Sequence, residues 1–261
     1  GTVKIFQSGF ILSVEQQRKL SEEYMNENLD FFVKELEKLN MTLTDEQLNQ
    51  FVQYYELLVE KNKVMNLTAI TEFHEVIEKH FIDSLSLIKM IDLNKEASVI
   101  DMGTGAGFPG IPLKIAFPNL DITLADSLNK RVSFLNEVID VLKLQNIRSV
   151  HGRAEDLANQ KDMREQYDYC VSRAVANLST LSEYCLPFVH IGGAFISYKS
   201  GNCDEEIEQA KSAVFLLGGK LRKVDKFQIG ENGRSFVVID KVKGTPKKYP
   251  RKAGTPSRNP L

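Results

Sequence analysis

The chain has 261 residues, 43% hydrophobic and 26% charged, with a formal net charge of −2. A composition this close to the globular average supports a sizeable core and excludes wholesale disorder, and no apolar run approaches the ~18–20 residues of a membrane-spanning helix. The three cysteines form no Cys-x-x-Cys pair, which argues against a structural zinc site or a disulfide framework, so a cytoplasmic protein with reduced thiols and no metal is expected.

In chain order, residues 1–24 connect poorly to the rest of the chain, and Met25-Asn26-Glu27-Asn28 reads as a natural start. The first 24 residues are therefore read as vector-derived or an extension, and as dispensable. Residues 25–94 read as an N-terminal helical cap. Phe31, Phe32, Leu36 and Leu39 recur at helical spacing, and Thr44 with Gln47 makes a capping box. A long amphipathic helix comes next, with Leu48, Phe51, Val52, Tyr55, Leu58 and Val59 on one face. Asn66-Leu67-Thr68 breaks it, and a further helix carries Ile77, His80, Phe81, Leu85 and Ile88.

Residues 95–243 change to strand–helix alternation. Strands are expected at 97–102, 120–126, 146–151, 167–173 and 194–199, with a late hairpin pair at 220–229 and 235–242. The helix at 129–144 places Val132, Leu135, Val138, Ile139 and Leu142 on one stripe. Repeated βα units predict a mostly parallel, Rossmann-like α/β sheet with helices on both faces. Residues 244–261 form a proline-rich basic tail. From Lys241 to Leu261 there are seven basic residues and no acids, leaving −9 on the preceding 240. Such a tail can bind phosphate locally; the bland alternative is a solvated terminus.

The strongest signal is Val99-Ile100-Asp101-Met102-Gly103-Thr104-Gly105-Ala106-Gly107-Phe108-Pro109-Gly110. A buried strand ends at Asp101, and alternate glycines then permit a tight turn with close backbone approach to a ligand at the sheet's carboxyl edge. The same run satisfies the dinucleotide fingerprint, and Asp126 stands 21 residues beyond Gly105, where either a nicotinamide or an adenosyl ribose wants a carboxylate. Asp101 favours S-adenosylmethionine: it repels a pyrophosphate but attracts the cofactor's sulfonium and ammonium. A ligand-free βα turn is the bland alternative.

Three strand ends complete the expected site. After the second strand, Asp126 suits ribose hydroxyls and Leu128 suits adenine, with Ser127 between them; a helix cap is the competing role. After the third comes Gly152-Arg153-Ala154-Glu155-Asp156, where adenine's exocyclic amine and ring nitrogen would meet backbone or carboxylate groups; an ordinary acidic helix start is the competing role. After the fourth, where the methyl acceptor normally lies, Arg173 fits a nucleic-acid or carboxylate contact, or else makes a structural salt bridge. The Asn/Asp-Pro-Pro-aromatic run of amino-directed nucleobase enzymes is absent there, and so is the Pro-Cys of cytosine C5 enzymes.

Several motifs together carry a resemblance. They are Asn66-Leu67-Thr68, Lys79-His80-Phe81-x-Asp83-Ser84-Leu85, Gly107-Phe108-Pro109, Asp126-Ser127-Leu128-Asn129-Lys130-Arg131, Arg153-Ala154-Glu155, Arg173-Ala174-Val175-Ala176, and Thr245-Pro246-Lys247-Lys248-Tyr249-Pro250-Arg251-Lys252. From about Leu43 to its end the chain resembles the glucose-inhibited division protein B family, also called ribosomal RNA small subunit methyltransferase G. The resemblance implies a seven-stranded methyltransferase sheet and methylation of guanine N7 in 16S rRNA, in a hairpin near the decoding site. The partner is then the 30S subunit or its assembly precursor, and the protein a monomer.

On the residues and the resemblance together, the expected cofactor contacts are Asp101, Gly103, Gly105, Gly107, Phe108, Asp126, Ser127, Leu128, Ala154, Glu155 and Arg173. His80, Asp83 and Arg173 are candidates for the acceptor pocket, against a buried helix-packing pair for the first two; no catalytic base is assigned. Arg131, Lys199, Lys247, Lys248, Arg251 and Lys252 are candidate RNA contacts. Two residues depart from the family pattern: Ala253 replaces a usual proline, and Lys61 a frequent tryptophan. The alternatives are a small-molecule methyltransferase and a non-enzymatic cofactor-binding regulator.

Overall fold

The computed structural model describes residues 12–261, so the first eleven residues of the 1–24 segment lie outside the described residues. Helix α1 (Val14–Lys38) opens on a capping box between Ser13 and Gln16 and passes through Met25 without a break. Its buried residues begin only at Asn28. Helix α2 (Asp45–Met65) starts at the Thr44–Gln47 capping box and ends with Asn66 in the left-handed region. Lys61 on this helix pairs with Glu137 at 3.0 Å.

The stretch expected as one regular helix around His80 is more varied. It comprises α3 (Phe73–Val76), a π-helical segment (Ile77–Ile82), α4 (Asp83–Leu85) and a 3-10 turn (Ser86–Lys89). A π segment adds a residue per turn and rotates the side chains beyond it. Phe81 and Leu85 stay in the core, while the His80 ring meets the Arg173 guanidinium.

Then the alternation begins: β1 (Ala97–Met102), α5 (Gly110–Ala116), β2 (Leu120–Asp126), α6 (Asn129–Leu142), β3 (Ile147–His151), α7 (Ala154–Leu157), β4 (Tyr167–Ser172), α8 (Leu178–Cys185), β5 (Val189–Ser200), α9 (Asp204–Leu216), β6 (Gly219–Ile229), β7 (Asn232–Lys241) and a final turn α10 (Thr255–Arg258). The sheet order is β3-β2-β1-β4-β5-β7-β6. The first five strands run parallel, and β7 inserts antiparallel between β5 and β6.

Side-chain alternation divides the core between the two faces of the sheet. Val99, Val171, Ile196 and Phe236 pack with the helical cap, α5 and α6. Ile100, Cys170, Phe195 and Val237 pack with α7, α8, α9 and Tyr249 of the tail. Among the described residues no helix is long and apolar enough to cross a membrane, and no metal-ligating cluster occurs.

Candidate active site

Parallel strands bring the loops after β1, β2, β3 and β4 to one edge of the sheet. The loop after β1 is tied to β2 by Gly103 N and Thr104 N, which both donate to Ala125 O at 2.9 and 3.0 Å. Gly105 has φ +61°, and a side chain there would meet nothing within 4 Å, so the loop backbone faces open space at this point. From the cap, Tyr54 Oη donates to Ala106 O at 2.5 Å and braces the loop from behind.

Asp101 is fully buried under this loop. Its Oδ2 accepts from Thr104 Oγ1 at 2.6 Å and from Gly110 N at 2.8 Å, whereas Oδ1 is buried without a partner among the described residues. Burial pushes its carboxyl up to about 7, against the lowering effect of those hydrogen bonds and of Arg173; Asp126 adds a smaller upward push. A buried acceptor lacking a donor is costly, so a ligand cation beside Oδ1 is favoured.

Asp126 is 4% exposed and joins two loops. Its Oδ2 accepts from Gly105 N and its Oδ1 from Leu128 N, both at 2.9 Å, with Arg131 Nη1 3.6 Å away. It does not cap α6, whose N-cap is Leu128. Each carboxylate oxygen keeps a second lone pair for a hydroxyl. Ser127 and Leu128 are exposed beside it, while Ala154 and Glu155 are buried at the start of α7. Asp126→Ala is expected to weaken cofactor affinity by ~1–3 kcal/mol and to lower stability as well, because it frees both loops. Calorimetry with S-adenosylhomocysteine and a thermal melt check this; a stability loss with intact binding would confine Asp126 to a clamp.

The loop after β4 leads to a charged cluster. Arg173 Nη1 lies 3.2 Å from Asp83 Oδ2, and Arg234 Nε and Nη2 reach the same carboxylate at 2.5 and 3.1 Å. Arg173 Nη2 contacts His80 Nδ1 at 3.1 Å, and His80 Nε2 contacts Thr68 Oγ1 at 3.0 Å. A guanidinium only donates, so Nδ1 accepts and the proton sits on Nε2. The His80 ring stacks on Phe108 with centroids 4.4 Å apart, and Arg173 lies 5.5 Å from the Phe108 centroid. Burial, helped by Arg173, pulls His80 down to about 3, so it is neutral near pH 7. A cleft of ≈ 360 Å³ opens beside the cluster, lined among others by Lys79, Asp83, Arg173 and Arg234.

The family model described as GidB, rRNA small subunit methyltransferase G, matches residues 47–236. The chain belongs to this family. It is 55% identical over 232 residues to the Ribosomal RNA small subunit methyltransferase G of Lachnoclostridium phytofermentans, covering 88% of this chain and 96% of that protein. Identity to the Staphylococcus carnosus protein of the same name is 50% over 236 residues, covering 89% and 98%. A solved structure, P. horikoshii TYW2 in complex with MeSAdo, aligns with a TM-score of 0.50 at 14% identity over 61% of each chain, a likeness of fold alone.

In this member of the family, the cationic side chains expected as RNA contacts divide into two sets. Lys199 Nζ is held by Ala176 O and Glu206 Oε1, both at 2.6 Å, and Arg251 is turned inward onto Glu183. Arg131 is half-buried, 3.6 Å from Asp126, and belongs with these paired cations, whereas Lys247, Lys248 and Lys252 are exposed. Arg234, Tyr54 and Thr68 join the site without a sequence signal for that role. The first two carry no local motif; Thr68 stands within Asn66-Leu67-Thr68, a motif that by itself gives the hydroxyl no role.

Proposed function

We propose that this enzyme binds S-adenosylmethionine across the ends of β1, β2 and β3 and methylates N7 of a guanine in 16S rRNA, on the 30S subunit or its precursor. The family supports the reaction class. The observation that supports the cofactor's placement is the buried Asp101 Oδ1, without a partner among the described residues, under a glycine loop whose backbone faces open space at Gly105. The residues fit: Asp101 would hold the ammonium, Asp126 the ribose, and Ala154 with Glu155 the adenine, while Gly103, Gly107 and Phe108 shape the loop.

When bound, S-adenosylmethionine supplies an electrophilic methyl on a sulfonium. Guanine N7 already presents a lone pair, so its attack needs no deprotonation. The neutral His80 matches that demand, since a group with pKa near 3 removes no proton at pH 7. His80 instead orients Arg173, and catalysis rests on holding the acceptor in line. Arg173 and Arg234 share one carboxylate, leaving net positive charge that suits a phosphate or guanine O6. In this reading the enzyme acts as a cytoplasmic monomer. Transfer of labelled methyl to 30S subunits, naked 16S rRNA and small molecules tests the reading, with the product base identified. Label appearing only in small molecules would overturn it.

Asp101 makes binding pH-dependent. An acid raised from about 3.9 to near 7 stays protonated in the fold, so folding takes up a proton. Its contribution to the stability of the ligand-free protein is therefore greatest below pH 4 and declines as pH rises through about 7. Pairing with an ammonium needs the ionised form. Cofactor affinity is thus expected to fall up to about tenfold per pH unit below 7, and this slope to vanish in Asp101→Asn. A flat profile in the native chain would place the ammonium elsewhere.

The exposed tail lysines are the proposed RNA phosphate contacts. Reversing Lys247, Lys248 and Lys252 to glutamate is expected to weaken RNA binding and to flatten the log–log salt slope by roughly 0.7–0.9 per lost contact. Filter binding at two salt concentrations reads this out; an unchanged slope would remove the tail from the RNA interface.

A further inference from the structure

We propose that the C-terminal segment completes the adenine end of the cofactor site, with Gly254 positioning Glu155; the inference rests on the proposed cofactor placement. The tail is docked, not projecting. Arg164 gathers its first turn through Thr245 O, Pro246 O and Tyr249 O at 3.1, 3.3 and 3.0 Å, and Tyr249 is buried. Arg251 then binds the fully buried Glu183 carboxylate through N, Nε and Nη2, at 2.8, 3.0 and 2.8 Å. Beyond it, Pro256 is buried and its carbonyl accepts from Thr180 Oγ1 at 3.0 Å.

Between these anchors the chain turns, with Thr255 N donating to Lys252 O at 2.9 Å and Gly254 at φ +85°. In that conformation Gly254 N donates to Glu155 Oε2 at 2.8 Å, a contact 99 residues distant in sequence. Glu155 is 6% exposed, and its Oε1 has no hydrogen bond among the described residues.

The sheet geometry says which part of the ligand this carboxylate meets. The glycine loop follows β1, Asp126 ends β2, and Glu155 follows β3. Two inter-strand spacings span roughly 10 Å, about the reach from the methionine end of the cofactor across its ribose to the base. Glu155 therefore faces the base, where the exocyclic amine is the available donor. With Oε2 fixed by the tail, Oε1 is preorganised to accept from that amine. Gly254 and Arg251 act through Glu155 and are positioning residues.

The test uses the full-length chain and two probes, S-adenosylhomocysteine and its N6,N6-dimethyl derivative, which has no amine donor. Gly254→Pro deletes the donating N–H and cannot adopt a positive φ. Arg251→Met releases the neighbouring anchor and is the second variant should the first fold poorly; Arg251→Lys restores a cation for Glu183. Calorimetry is expected to show the native chain preferring S-adenosylhomocysteine by at least about tenfold, the scale of one charge-assisted hydrogen bond. Gly254→Pro and Arg251→Met should lose most of that preference by weakening S-adenosylhomocysteine alone, with Arg251→Lys near native. A lowered melting temperature with the preference intact would overturn the proposal and leave the tail a mere staple. A native chain that binds neither probe would overturn the cofactor placement itself, and this inference with it.

Discussion

Gly103→Leu is expected to abolish cofactor binding while leaving the domain folded. Gly103 has φ +69°, which costs a residue with a side chain roughly 1–2 kcal/mol. A Cβ placed there would already lie 3.3 Å from Ala174 Cβ, in the loop that carries Arg173. The rest of a leucine side chain must push that loop aside or enter the space beside Gly105. Strand β1 and its pairing with β2 are untouched, so the core should survive. Affinity for S-adenosylhomocysteine is expected to drop at least ~100-fold, equivalent to about 2.8 kcal/mol, with Gly103→Ala intermediate. Calorimetry on the folded variant decides: unchanged affinity would remove the loop after β1 from the cofactor site.

Asp83→Ala should have the largest effect on stability. Asp83 is 2% exposed and is the shared anion of two guanidiniums, on Arg173 and Arg234. Deleting it leaves two positive groups facing each other, their side chains only 18% and 19% exposed. Removing one partner of a buried ion pair costs ~3–5 kcal/mol, and partial solvation of both arginines points to the lower end. At about 2–4 °C per kcal/mol for a chain of this size, the melting temperature should fall by roughly 6–12 °C. Methyl transfer should fall too, because Arg173 loses the anion that aims it. Urea unfolding gives the number directly; a loss below about 1 kcal/mol would mean the arginines resolvate easily and Asp83 does not organise the cluster.

Much of this is legible in the sequence because the determining signals are local. The capping box at Thr44, the stripe from Val132 to Leu142 and the apolar strands ending at Asp101 and Asp126 depend on periodicity and end chemistry that a short window contains. Where a strand limit differs, the cause is local as well: the apolar run of β5 is interrupted by Gly192-Gly193, which hides its start at Val189. Repeated βα units constrain handedness and parallel pairing, which is enough to bring Asp101, Asp126, Glu155 and Arg173 to one edge.

What a charged or polar side chain does once there is a different matter, because its partner is set by neighbours remote in sequence. Arg251 and Lys199 look like RNA ligands in a basic tail and at a strand end, yet buried Glu183 and the Glu206–Ala176 pair hold them inward. Arg234 finds Asp83 across 151 positions, and Tyr54 reaches Ala106 across 52. The π segment at Ile77–Ile82 keeps a helical hydrophobic pattern but rotates His80 onto Phe108. Burial then makes that histidine neutral and Asp101 hard to ionise. Fold class and the gathering of the strand-end residues at one sheet edge were thus determined by the sequence itself, through short-range sterics and periodicity. Ion pairing, protonation and the docking of the tail on Glu155 were decided only by tertiary structure, because desolvation and charge–charge interactions depend on distances in three dimensions.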